Sequence, residues 1–213
     1  MLDDIQYVDV LASWRQEEKQ VKGYMSSLKS KIFLPYLEPY WASKPWSRYL
    51  EGKKVLVVHP FADLIKSQYE RRRELLFNNP FVLPLFDLEV ILAVQSIGGG
   101  KSTGFDSWFD ALESMKAEID KHAYDICLLG CGAYGLPLAA HVKRQGKKAI
   151  HLGGATQLFF GIKGNRWENP MYGVEEWNLP KGYYLNMFNE YWIKPGFDVK
   201  PEGASKVEGA CYW

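Results

Sequence analysis

The chain has 213 residues, about half of them hydrophobic, and a formal net charge of +1. That is room for one sizeable core, in an ordinary globular composition with no large basic excess for nucleic acid. Three cysteines make no disulfide framework, no apolar run reaches the roughly 18 residues of a membrane span, and "MLDDIQ" lacks the basic start of a signal peptide, so a cytoplasmic protein is expected.

Residues 1–50 read as a helical segment. "VDVLASWRQEEKQVKGYM" carries apolar residues at helical spacing, and the pattern breaks up around Pro35, Pro39 and Pro45. The core, 51–165, begins with "GKKVLVVHPF", which predicts a buried strand over Val55–Val58 closed by His59-Pro60. "ADLIKSQYERRRELLF" follows as an amphipathic helix ending near Asn78–Pro80. Gln68 and Arg71, one turn apart there, fit a solvated face better than a ligand contact.

"DLEVILAVQSI" predicts the second strand, 98–104 a glycine-rich loop, and "FDSWFDALESMKAEIDKH" a helix with Phe105, Trp108, Leu112, Met115 and Ile119 on one stripe. "YDICLLG", "LPLAAHVKRQG" and "KKAIHLGG" then predict strand, helix closed by Gly146, and strand. His122 and His141 fall on helices and read as structural. Strands that are unbroken apolar runs, alternating with long helices, predict an α/β fold: a Rossmann-like parallel sheet flanked by helices. Residues 166–213 are aromatic and rich in Pro and Gly, and predict an irregular tail wrapping the sheet of one single domain.

Gly130, Gly132 and Gly135 form a G-x-G-x-x-G between a strand and a helix, where backbone N–H groups can approach a phosphate. A dinucleotide site also needs an acidic residue at the end of the next strand, yet that strand ends in His151 and Gly153-Gly154. The same gap weighs against a NAD- or S-adenosylmethionine-dependent enzyme. Ligands of open parallel sheets bind beyond the strands' carboxyl ends, so His59, the Gly130–Gly135 turn and the His151–Gly154 turn should converge on one crevice. Tyr134 lies within the glycine turn, and Gln157, Lys163, Arg166 and Trp167 follow closely enough to line a rim. An arginine beside an indole suits a phosphate next to a base or sugar.

The words "HPF" (His59–Phe61), "CGAYG" (Cys131–Gly135), "GGATQ" (Gly153–Gln157) and "FGIKGNRW" (Phe160–Trp167) resemble those of a family of largely uncharacterised proteins found near polysaccharide-biosynthesis genes. The likeness covers about residues 35–195. Its strand–helix–strand arrangement is similar, more distantly, to the later half of GT-D-type glycosyltransferases. That resemblance implies a nucleotide-sugar donor with a divalent cation, and a glycan acceptor. His151 or His59 would then act as the base, and Lys163, Arg166 and the Gly132–Gly135 turn would hold the diphosphate. The acidic Asp-x-Glu that GT-D enzymes carry early is missing from residues 1–50. The sole example, Asp87-Leu88-Glu89, enters the second strand. A non-catalytic ligand-binding or scaffolding module of the same fold is the alternative.

Overall fold

The computed structural model describes residues 2–96, 104–196, 200–201, 203–206 and 209–213; of the predicted glycine loop only Gly104 falls among them. Four parallel strands form the central sheet: β3 (Lys54–His59), β4 (Asp87–Leu92), β5 (Ile126–Leu129) and β6 (Lys148–His151), in the order β4-β3-β5-β6. The inner strands pair residue for residue, with Val57 opposite Val90 on one side and Leu128 on the other. Both faces of β3 are covered, which is why its sequence is a continuous apolar run rather than an alternating one. The mixed α/β, Rossmann-like class expected from the sequence is what the chain adopts.

Three helices make the crossovers: α2 (Ala62–Leu76), α3 (Trp108–Asp120) and α4 (Gly135–Arg144), preceded by a one-turn α1 (Leu2–Ile5). From β3 the chain moves outward one way to β4. From β4 it crosses back to β5 and on to β6. Right-handed crossovers running in opposite directions place their helices on opposite faces. On one face, Val55, Val57 and Leu128 pack with Ile65, Tyr69 and Leu76 of α2. On the other, Leu56, Val58, Cys127 and Leu129 meet Leu112, Met115 and Ile119 of α3 and Leu138 and Val142 of α4. The predicted stripe of α3 is thus its core face. Ser107 accepts the Asp110 N–H at 3.2 Å to start it. Gly146, at φ +77°, ends α4, whose last turn carries His141, Lys143 and Arg144 at the negative end of the helix dipole.

After β6 come α5 (Ala155–Phe159), α6 (Asn165–Glu168) and α7 (Val174–Trp177), then 3-10 turns and irregular chain. Trp167, Tyr184, Trp192 and Trp213 belong to the α2-side core, so the aromatic tail covers that face. It also completes α2. Asn189 Nδ2 donates to Leu75 O at 2.9 Å and Trp192 Nε1 to Leu76 O at 3.2 Å, filling carbonyls that the helix end leaves open. Gln68, expected at the surface, is buried and donates to Gly161 O and Tyr191 O, both at 3.1 Å.

The N-terminal fifty residues are helical chiefly as 3-10 segments. Val10–Ser13 (β1) and Ser30–Phe33 (β2) form a separate parallel pair, and Gln16–Tyr24 is a 3-10 helix. The Glu18 carboxylate takes the N–H groups of Trp14 and Arg15 at 2.9 and 3.0 Å and the Ser13 hydroxyl at 2.6 Å, which ends β1 and tightens the chain after it. Burial opposes its charge, yet these bonds hold Glu18 down at about 2. Lys143 and Arg144 of α4 tether the segment through Asp9 and Asp4. Among the described residues, no helix is long and apolar enough to cross a membrane.

Candidate functional site

β3 and β5 lead off in opposite directions, so the topological switch point, the usual ligand crevice of an open sheet, lies beyond His59 and Gly130. In this chain it is filled from within. A Cβ on Gly130 would stand 2.4 Å from the His59 ring and 2.6 Å from Thr156. His59 is 3 % exposed, and its Nδ1 accepts the Phe61 N–H at 2.9 Å, setting the turn into α2. Burial pushes the imidazole down to about 3, so it is neutral.

The glycine run divides by position. Gly132 is exposed, at φ +56°, with open space around it. Gly135 is buried against the His151 ring, which a Cβ would meet at 2.1 Å. Tyr134 turns to the opposite face of the sheet, stacking on Trp108 at 5.0 Å, with its hydroxyl 3.0 Å from Ser96 Oγ. Cys127 and Cys131 are free and buried; burial pushes the Cys131 thiol up to about 12.

The large concavity lies elsewhere, between β6 and the N-terminal segment, with a volume of about 1180 Å³. Successive residues of both Lys148–His151 and Val10–Ala12 line it. β6 pairs with β5 alone and β1 with β2 alone among the described residues, so two unpaired sheet edges border the groove. Aromatic rings, among them Trp14, Tyr36, Trp46, Tyr172 and Trp177, close much of the remaining wall.

Five residues picked out in the sequence come together here: His151, Gly153, Gly154, Arg166 and Trp167. His151 is half-buried; its Nδ1 lies 3.1 Å from Leu129 O, a bond that assigns the ring proton to Nδ1, and burial lowers its pKa. Gly153 takes φ +58°, turning the chain off β6. Gly154 passes so close to the C-terminal segment that a Cβ would meet the Tyr212 ring at 2.6 Å. The Arg166 guanidinium lies over Tyr212 at 4.8 Å and over Trp167 and Tyr172 at 5.7 Å, and donates to Cys211 Sγ at 3.2 Å. A planar cation among rings offers charge to an anion beside surfaces that stack a base or sugar.

The other sequence candidates do not line the groove. Gln157 is a buried pin, donating to Tyr212 O at 3.2 Å and Ile162 O at 3.3 Å. Lys163 pairs with Glu168 at 3.4 Å. His59, Gly130, Gly132, Tyr134 and Gly135 sit at the sheet end or on its far side, as described. His122, just after α3, meets Glu89, and His141 of α4 meets Asp120 at 2.8 Å.

A buried acid of the groove, Glu38, was not among the sequence candidates. Glu38 is 6 % exposed, and accepts hydrogen bonds from Trp41 Nε1 at 2.8 Å and from the Tyr184 hydroxyl at 2.9 and 3.1 Å. Burial outweighs these bonds and pushes the carboxyl up to about 7. The available signal was a lone carboxylate inside the apolar, proline-flanked run "LPYLEPYW".

Among the described residues, no three His, Cys, Asp or Glu side chains converge where they could hold a metal ion. Asp87 and Glu89 sit at the amino end of β4, opposite the strand ends that lead to the groove. The described side chains therefore do not fit the divalent cation that the resemblance implies. Compared with protein-family models, curated proteins and solved structures, the chain finds no match.

Proposed function

We propose that this chain is a glycosyltransferase-like protein that binds a nucleotide sugar in the groove beside β6, for polysaccharide or glycan assembly. The observation that carries the reading is the meeting of His151, Gly153, Gly154, Arg166 and Trp167 on one aromatic-walled space of about 1180 Å³. That space is ample for a ligand of several rings and phosphates. Arg166 would face the diphosphate. The rings would stack the base or sugar.

For transfer, the acceptor hydroxyl gives its proton to the unprotonated nitrogen of His151 as its oxygen bonds the anomeric carbon. The bond from that carbon to the diphosphate oxygen breaks, and the electron pair leaves on the diphosphate, where Arg166 offsets the charge. His151 suits the role because burial keeps it neutral and Nδ1–H is committed to Leu129 O. No step is routed through a metal. His59 is enclosed and takes no part.

A second reading, a ligand-binding module without turnover, is favoured by the filled switch-point crevice around His59, Gly130 and Thr156. The test is a thermal-shift screen with UDP- and GDP-sugars, followed by a transfer assay. Ligand at a hundredfold excess over Kd stabilises the fold by about 2.7 kcal/mol, a shift of several degrees. Arg166→Ala should abolish the shift, whereas His151→Ala should keep it and lose transfer by about a hundredfold or more. A wild type that binds without turnover supports the second reading; no shift with any nucleotide sugar refutes the first and leaves a scaffolding module of the same fold.

A further inference from the structure

Beyond the groove's anion-facing end stands a carboxyl group that pairs with no cation among the described residues. Glu38 lines the groove and is nearly enclosed. Among the described residues, the titratable side chains that interact with it are phenols: Tyr40 from its own turn, and Tyr183 and Tyr184 from the tail. Neither a lysine nor an arginine nor a histidine is among its partners in the described residues. A carboxylate offers about four lone-pair sites. Two hydrogen atoms, on Trp41 Nε1 and the Tyr184 hydroxyl, reach them. The Tyr40 hydroxyl nearby is buried without a hydrogen-bond partner.

A buried carboxyl with lone pairs to spare is costly for a fold, and such groups gather where a ligand completes them. Glu38 is joined to the cationic end of the groove through two rings. Tyr184, its donor, has its ring 5.5 Å from that of Tyr172, over which Arg166 lies at 5.7 Å. Trp46 and Tyr36 line the groove near Glu38 in the chain. Carbon faces for stacking, together with an acceptor short of donors, make the chemistry of a sugar ring, which presents C–H faces and hydroxyl donors.

We propose that Glu38 and the rings around it read the sugar half of the ligand, the carboxylate accepting from hydroxyl groups while Arg166 faces the diphosphate. This rests on the nucleotide-sugar reading above and adds to it a residue that distinguishes sugar from bare nucleotide. A hydroxyl donates more strongly to the ionised carboxylate than to the acid, so the sugar's contribution should grow as pH rises through the Glu38 transition near 7.

The experiment is calorimetric titration of wild type and Glu38→Gln with UDP-glucose, UDP, GDP-mannose and GDP at pH 6 and 8. In the wild type, the preference for nucleotide sugar over the matching nucleotide should be about tenfold or more at pH 8 and smaller at pH 6. Glu38→Gln should lose the preference and its pH dependence, while its affinity for UDP and GDP stays within about twofold. A melting curve on the same sample checks that it is folded. Preference unchanged in Glu38→Gln, or equal loss of nucleotide and nucleotide-sugar binding, overturns the role of Glu38 alone. A wild type that binds none of the four overturns the nucleotide-sugar reading and this role with it.

Discussion

Two glycines of the same run answer differently to a methyl group. Gly132 holds φ +56° in open space, so Gly132→Ala meets only left-handed backbone strain, about 1–2 kcal/mol. Gly135 has ordinary helical angles, and Ala suits a helix better than Gly, but its Cβ would stand 2.1 Å from the His151 ring. Gly135→Ala should displace that ring, cost about 1–3 kcal/mol and disturb the groove as well. Chemical denaturation of the two variants, with the imidazole resonances of His151 as reporter, checks this. An unmoved His151 resonance in Gly135→Ala would refute the packing role. The spacing alone marked a strand-to-helix turn, and the turn is there. Which glycine faces solvent and which faces a histidine depends on a strand that joins the sheet later, so the motif could not say.

α2 is a fifteen-residue helix whose own sequence offers no side-chain cap at its end; Phe77 follows directly in extended conformation. Asn189 and Trp192, more than a hundred residues on, supply the donors. Asn189→Ala should therefore cost about 1 kcal/mol and raise amide exchange in the last turn of α2 and in 185–193 together. Exchange confined to the tail would show that the cap is incidental. The central strands and their helices were legible because burial on both faces writes a continuous apolar run, and burial on one face writes a helical stripe. Leu112, Met115 and Ile119 follow that rule closely. The first fifty residues are helical as expected, largely as 3-10 segments, but the β1–β2 pair within them was hidden for a physical reason. A four-residue strand is too short to impose a period, and the Glu18 carboxylate, rather than any apolar pattern, fixes where β1 ends. Gln68 misled likewise: its partners are carbonyls of the tail, which helical spacing does not see.

At the scale of the whole chain, the groove joins parts that are remote in sequence, Val10 with Lys148 and Glu38 with Tyr184, so no local pattern could outline it. What the sequence did carry was the turn after β6, His151 to Gly154, together with Arg166-Trp167. What it hid was the buried acid. Two enclosed groups, His59 and Glu38, then shape stability against pH in opposite senses. His59 has its pKa lowered to about 3 from 6.5, so its contribution is present above pH 6.5 and is lost as pH falls towards 3. Glu38 has its pKa raised to about 7 from 4.5, so its contribution is present below pH 4.5 and is lost as pH rises towards 7. Between pH 4.5 and 6.5 unfolding takes up a proton at His59 and releases one at Glu38, and the two slopes oppose each other. Glu38→Gln removes one of them. Its stability relative to wild type should rise by about 1.4 kcal/mol per pH unit across that window, reach roughly 3 kcal/mol by pH 8, and stay level below pH 4.5. Urea denaturation of both proteins at pH 4, 5, 6 and 8 measures the difference directly. A difference that does not change with pH would mean that Glu38 titrates in the fold as it does in the unfolded chain, and that the aromatic shell around it admits water.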